Sequence, residues 1–309
     1  MKILVTGGAG FIASHIVDAY VRKGADAVVV DDLSSGKEEF INKNAVFYQE
    51  DIRNSEKISE IISKEKPEVI NHHAAQISVR DSVDNPVLDA QVNLLGLINL
   101  LESAKKVKIK KIIFASSGGV VYGNAKNLPT PEKYQPKIPL SPYGVSKLAS
   151  EHYLRYYSEV YKIPFIALRY ANVYGPRQNP HGEAGVVAIF SLKLLKGEIP
   201  NINGDGLQTR DYCYVEDIVQ ANEKALGSKE VGSFNIGTGI ETNVIEIFET
   251  IKESCKVNIQ ANFVPAKKGE QKRSCLEIKK AEKLLDWKPK FSLKEGIEKT
   301  VDYFKQHDE

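Results

Sequence analysis

Cysteine is scarce in this chain of 309 residues. Cys213, Cys255 and Cys275 form neither a CxxC pair nor a ligand spacing with histidine. That argues against a disulfide framework and a thiolate metal centre, and fits reduced thiols in a cytoplasm. The six histidines show no HxxxH spacing, and His72 and His73 end an apolar run as loop or pocket-wall residues. No metal is expected. No apolar run reaches the ~18 residues of a membrane span, and the N-terminus starts in a strand without a charged-then-apolar leader. Charge of one sign is lacking too: 42 basic and 40 acidic residues leave a formal net charge of +2. The charge balance therefore gives no reason to expect nucleic acid or a membrane surface as partner. The densest basic cluster, KVKIKK at 106–111, reads as a solvated helix end and loop. Internal repeats and low-complexity tracts are absent.

Hydrophobic residues make up 42% and charged residues 27%, the balance of a soluble globular protein. The length favours about two domains. Short β-branched runs at 2–6, 27–32, 45–51, 68–73, 111–117 and 164–170 read as strands. Helical patterns lie between them near 11–23, 55–64, 86–106 and 142–161. This alternation predicts an α/β fold, a doubly wound parallel sheet of Rossmann type, with ligands at the carboxyl ends of the strands. After Tyr170 the pattern loosens into the turn-rich stretches 175–185 and 196–211. A helix at 217–226, a strand at 232–238, a helix at 243–255 and two terminal helices split by a proline turn follow. The expected plan is an NAD-binding domain over 1–170, with 211–240 returning to it, and a smaller α/β substrate domain over 171–309.

VTGGAGFIASHI places Gly7, Gly8 and Gly10 between the first strand and first helix. Such glycines let the backbone approach a pyrophosphate at a helix N-terminus, where free N–H groups attract anions. Asp31 stands near the end of the second strand, where a carboxylate accepts from a ribose diol and repels a 2′-phosphate. NAD is favoured over NADP. Phe11, Ile12 and the neighbouring Asp32 join the expected cofactor contacts. SPYGVSKLASEHYL opens a helix at Ser141, with Tyr143 and Lys147 four residues apart on one face. An ammonium beside a phenol favours the phenolate and would make Tyr143 a workable base. That spacing alone is common by chance. SSGGVVYG (116–123), at the end of the fifth strand, offers either a turn or a reactive hydroxyl.

The spacing Gly7-x-x-Gly10-x-x-Ala13, the Tyr143/Lys147 pair and SSGGVVYG upstream of it together resemble the extended short-chain dehydrogenase/reductase family. The resemblance covers essentially the whole chain. It implies bound NAD, a Tyr143–Lys147 pair in which lysine also holds the nicotinamide ribose, and a serine hydroxyl completing a triad. Ser117 is the candidate for that hydroxyl and Ser116 the reserve, Ser116 also being a cofactor contact. It further places Asp51 and Ile52 at the adenine, and Ala74, Ala75, Gln76 and Asn93 along the pyrophosphate and ribose. Tyr170 in RYANVYGPRQ would approach the nicotinamide, and Asn172 the substrate diphosphate. Arg210 would grip that diphosphate; Ser78, Asn203, Lys267, Glu270 and Ser274 complete the expected substrate contacts, with Ser274 as a gate near the hexose.

The closest fit lies among the UDP-hexose 4-epimerases of that family. The implied activity is interconversion of UDP-glucose and UDP-galactose by C4 oxidation, rotation of the 4-keto sugar and hydride return, in a homodimer. A 4,6-dehydratase would need an Asp-Glu pair just after the triad residue, where this chain has Gly118-Gly119. A UDP-glucuronate decarboxylase or 4-epimerase is disfavoured less firmly. Intact Tyr143, Lys147 and Asn172 argue against a non-catalytic NAD-binding module.

Overall fold

The structure, a computed structural model, describes residues 1–181, 185–266 and 271–307. Its centre is a seven-stranded sheet in the order β11-β6-β5-β4-β1-β2-β3, with β11 at Gly232–Ile236. The first six strands are β1 (Lys2–Thr6), β2 (Asp26–Asp31), β3 (Val46–Gln49), β4 (Val69–His72), β5 (Lys111–Ser117) and β6 (Phe165–Tyr170). All pairings are parallel. These strands carry few polar positions because helices cover both faces, so the apolar runs are nearly continuous.

Two cores lie on opposite faces of the sheet. One packs α1 (Phe11–Arg22) and α8 (Val215–Gly227) through Ile16, Tyr20, Ile218 and Ala221. The other packs α2 (Ser55–Glu65), α5 (Gly96–Ala104) and α6 (Pro142–Tyr161) through Ile58, Ile62, Leu97, Leu101 and Leu154. Helix α3 (Val79–Asp84), α4 (Pro86–Ala90) and a π-helical turn (Gln91–Leu95) lead into α5. Helix α6 starts where its sequence says it should: the Ser141 side chain accepts from the Gly144 N–H, and Pro142 occupies the first turn.

The second part is a third core built by α7 (Val186–Leu195), α9 (Val244–Cys255) and α11 (Leu293–Gln306). Capping boxes at Asn243/Glu246 and Ser292/Glu295 open α9 and α11. Short parallel ladders join β7 (Asn172–Tyr174) to β10 (Tyr212–Tyr214) and β8 (Asn201–Asn203) to β13 (Asn262–Val264). An antiparallel pair joins β9 (Thr209–Arg210) to β12 (Thr242–Asn243). The strand β11 (Gly232–Ile236) extends the main sheet beside β6, and α10 (Lys279–Leu285) packs near it. The turn-rich reading of 196–211 missed β8 and β9. These strands are two or three residues long, too short for alternation to register, and exist only through partners far along the chain.

Candidate active site

Strand order reverses between β1 and β4, and a cleft of about 550 Å³ opens at their carboxyl ends. The chain exits of these two strands touch. The Thr6 hydroxyl accepts from the backbone N–H of His73 and of Ala74, each at 3.2 Å. Gly7 has φ +69°, and a Cβ there would lie 2.6 Å from the Ala74 nitrogen. Only glycine fits that turn without strain. The Gly10 N–H donates to the Gly7 carbonyl at 3.0 Å, which closes the loop and aims the start of α1 at the cleft. No side chain caps α1, so its first N–H groups remain for an anionic ligand.

Asp31 ends β2 and is 7% exposed. Its carboxylate accepts from the Ala9 and Leu33 N–H groups, both at 2.9 Å. Burial raises its pKa, and those two hydrogen bonds oppose the rise. Each oxygen keeps a lone pair for a diol. The neighbouring Asp32 is exposed and accepts from the Ser34 N–H and hydroxyl. Asp51 is held below the ordinary carboxylate range by its hydrogen bond from Arg53. Gly7, Gly10, Phe11, Ile12, Asp31, Asp32, Asp51, Ile52, Ala74, Ala75, Gln76 and Ser78 all line this one cleft. So do Ser116, Tyr143, Lys147 and Tyr170. Asn93 stands one layer behind: its amide donates to the Gln76 carbonyl at 2.9 Å, and its Oδ1 is buried without a partner.

At the far end of the cleft, the Ser117 side chain lies near the Tyr143 phenol and works to lower its pKa. The Ser116 hydroxyl instead donates to Glu151 at 2.6 Å, away from the phenol. The two serines, open to either assignment in sequence, thus face different neighbours. The Lys147 ammonium donates to the Ala115 carbonyl at 2.9 Å and sits 5.8 Å from the Tyr143 ring centre. Burial lowers the Lys147 pKa to about 8, with Asp89 partly offsetting the fall.

The expectation that lysine would draw the Tyr143 pKa down is corrected in the protein alone. Burial and the nearby Asp89 push it up, against the lowering by Ser117. The phenol therefore starts neutral, ready for a further positive charge to make it a base.

Buried groups that sequence reasoning passed over brace this end. Arg169, just before Tyr170, grips Glu151 with two bonds at 2.9 and 2.6 Å, and donates to Tyr122 at 2.7 Å. Burial works against the charge of Glu151, but Arg169 keeps its pKa low. Glu151 follows Lys147 by one helical turn, so the pair ties α6 to β6; a helix-face count from Lys147 was the available signal. Asn222 on α8 donates to the Tyr170 hydroxyl at 2.8 Å, and the His73 ring meets that hydroxyl at 3.1 Å. Burial, reinforced by Lys147, takes the His73 pKa down to about 3, so this ring is neutral. The pocket-wall reading of His73 holds, since it lines the cleft. The loop or pocket-wall reading of His72 is corrected: it ends β4, is buried in the core and meets Thr6 at 2.7 Å.

The described residues expected at the substrate do not line the same cleft, apart from Ser78 and Tyr143. They follow a backbone ladder beside it. The Asn172 N–H donates to the Asp211 carbonyl at 2.8 Å. Arg210 lies in β9, partly buried, with Nη1 on the Thr209 carbonyl at 2.8 Å. The Ser274 N–H donates to that same carbonyl at 3.2 Å, and Ser274 is buried. Asn203 ends β8 and accepts from Gln208 at 3.2 Å. Asp211 takes N–H groups of Thr238, Gly239 and Leu276 on its carboxylate. Lys267 and Glu270 lie outside the described residues. No cluster of three or more metal-ligating side chains occurs among the described residues, and no described helix is long and apolar enough to cross a membrane.

Comparison with known proteins agrees with this geometry. The profile of the GDP-mannose 4,6 dehydratase family matches residues 4–300. A putative UDP-glucose 4-epimerase of Methanocaldococcus jannaschii is 49% identical, over 99% of each chain. The UDP-glucose 4-epimerase of Thermotoga maritima, solved with UDP-glucose, superposes with a TM-score of 0.98 at 47% identity, covering 100% of both chains. The Thermus thermophilus UDP-glucose 4-epimerase, solved with NAD, gives 0.95 at 42% identity over 99% of this chain and 100% of that one. The chain belongs to the GDP-mannose 4,6 dehydratase family of extended short-chain dehydrogenases/reductases.

Proposed function

We propose that this protein is an NAD-dependent UDP-glucose 4-epimerase, interconverting UDP-glucose and UDP-galactose. The observation that carries this is that Tyr143 and Lys147 line the same cleft as Gly7 and Asp31, with Ser117 close to the phenol. The residues present fit NAD. The Gly7 turn has no room for a Cβ, α1 presents uncapped N–H groups, and Asp31 stands at the end of β2. When bound, NAD supplies a reversible hydride acceptor for the sugar C4 and a positive ring near Tyr143.

The chain's own residues supply the remainder. Tyr143 takes the proton of the sugar 4-hydroxyl and returns it after the 4-ketose has turned over. Ser117 shares its hydroxyl with the phenol and orients the same oxygen. Lys147, fixed by the Ala115 carbonyl, favours the phenolate by its charge and holds the nicotinamide ribose. Arg210 and Asn172 hold the substrate diphosphate, Arg210 through a planar fork suited to two oxygens. Asn203, Lys267 and Glu270 belong to the same end. A firm grip on UDP with few fixed contacts to the hexose is what rotation of the ketose requires.

The glycine pair separates this reading from dehydration. A Cβ built on Gly119 would lie 3.8 Å from the Ser117 hydroxyl and 4.0 Å from Asn172 Oδ1, with nothing closer. A side chain there would enter the proposed reaction space, and neither position of the pair carries an acid. Loss of the 6-hydroxyl has no local proton donor at that position.

The substrate range follows from Ser274, whose small side chain leaves space for an acetamide near the hexose. We read 1–170 as the NAD-binding domain, with 211–240 returning to it, and 171–309 as mainly the UDP-sugar domain; the pairing of β11 with β6 supports this division. Val145, Tyr153, Tyr156 and Val160 form an exposed apolar stripe on α6, 39–54% accessible. A second copy of the chain covers it in a homodimer. Three buried free thiols suit a cytoplasmic protein. The test is a panel of UDP-galactose, its N-acetyl analogue, UDP-glucuronate and dTDP-glucose. Conversion of the first two to their 4-epimers is expected. A 6-deoxy-4-keto product, or turnover of UDP-glucuronate alone, would overturn the reading.

A further inference from the structure

Helix α6 packs against α4, and a carboxylate that the scheme above does not use lies between them. Asp89 is 0% exposed. Its Oδ2 accepts from the Ser146 hydroxyl at 2.6 Å. Its Oδ1 accepts from Asn93 Nδ2 at 2.8 Å and from Gln76 Nε2 at 3.4 Å. All three donors are neutral. They satisfy the lone pairs without neutralising the charge, so the field of the carboxylate extends to the next groups in the core. Those groups are Lys147, the residue after Ser146, and Tyr143, one turn before it. Both feel Asp89. The same carboxylate fixes the Asn93 amide, whose second N–H contact is the Gln76 carbonyl in the cleft wall.

We propose that Asp89 is the positioning residue of the Tyr143–Lys147 pair, clamping α6 to the cofactor-cleft wall through Ser146, Asn93 and Gln76 and setting a buried carboxylate against that helix. The proposal rests on the reading of Tyr143 as base and Lys147 as its cationic partner.

The other charged groups around the pair leave this role to Asp89. On α6, Glu151 is committed to Arg169 of β6 and to Ser116 of β5. At the end of β4, burial keeps His72 and His73 neutral. Tyr170 on β6 has its pKa raised by burial and is neutral too. On α3, Arg80, Asp81 and Asp84 are exposed to solvent. On α5, Glu102 pairs with Lys105 and with the Tyr157 hydroxyl. Removing the Asp89 charge should therefore let both Tyr143 and Lys147 lose protons more easily. The acid limb of turnover, set by Tyr143, and the alkaline limb, set by Lys147, should move to lower pH together.

The test uses NAD-loaded protein. Ultraviolet titration of wild type minus Tyr143→Phe isolates ionisation of that phenol. The same difference is then taken between D89N and the double variant D89N/Y143F. A downward shift of about one pH unit or more is expected, matched by the pH profile of kcat. S146A removes one hydrogen bond and keeps the charge, and should leave the titration where it was. D89E should retain the wild-type pH profile even with a lower kcat. If D89N does not fold, D89S removes the charge with a smaller polar group and gives the same readout. An unchanged phenol titration in the charge-free variant would overturn the proposal and leave Asp89 a packing group. Full turnover in Y143F would instead sink the base assignment, whatever Asp89 does.

Discussion

The cofactor end and the sugar end of this site are built by different means. At the cofactor end, short stretches of sequence fix the geometry locally: a glycine turn, a strand-end aspartate, one face of a capped helix. Fifteen residues expected at the cofactor meet in a single cleft. At the proposed sugar end, Asn172, Asn203, Arg210 and Ser274 sit on two- and three-residue strands or beside them. Their positions follow from ladder bonds such as Ser274 to Thr209 and Asn172 to Asp211. A cofactor pocket fixed by local turns beside a ladder-built wall fits the proposed enzyme, which keeps its cofactor while turning its substrate over.

The contrast can be broken most sharply at Tyr143. Tyr143→Phe keeps the ring and loses the acid–base hydroxyl, so kcat should drop by roughly 10²–10⁴-fold. NAD content and melting temperature should stay near wild type; near-normal kcat would remove Tyr143 from the chemistry. Gly7→Ala attacks the cofactor end alone. The Cβ clash with Ala74 and the positive φ together should cost about 1–3 kcal/mol, read as a lower Tm and loss of NAD on gel filtration. Retention of NAD at wild-type stability would show that the turn tolerates a side chain.

Arg210→Ala attacks only the sugar end. Loss of charge-assisted bonds worth about 1.5–3 kcal/mol should raise KM for the UDP-sugar by about ten- to a hundredfold, with NAD content unchanged. A fall in NAD content instead would merge the two ends.

The smallest effect is on pH. The Lys147 pKa is depressed to about 8, so its charge is present below that value and lost as pH rises through it. Activity should decline above pH 8 for this reason, before the ordinary lysine range is reached. A flat profile to pH 10 would show that bound ligand holds the ammonium.

Much of the cofactor end was legible in sequence because its signals are local. Gly7 and Gly10 sit between a strand and a helix, Asp31 ends a strand, and Tyr143 and Lys147 share a helix face. Ser116 and Ser117 could not be told apart, since alternation along β5 says which face each takes and not what waits there. Glu151 supplied that answer only once β5, β6 and α6 were packed together. Asp89 was silent for the same reason. In sequence it is one acid in a helix, and its meaning comes from a fully buried position against Ser146. The short strands at 201–203 and 209–210 were invisible because their partners lie 32 to 61 residues away, at 242–243 and 262–264. The sign of the Tyr143 shift was also beyond reach, because burial and Asp89 raise it and both are tertiary facts.

The central claim is that one chain, with NAD already in its cleft, inverts the C4 hydroxyl of a UDP-hexose. The direct measurement is the product formed when purified protein meets UDP-galactose with no NAD added. UDP-glucose should accumulate until the two sugars reach equilibrium, with no net NADH released. Unchanged UDP-galactose from protein shown to contain NAD would contradict the account.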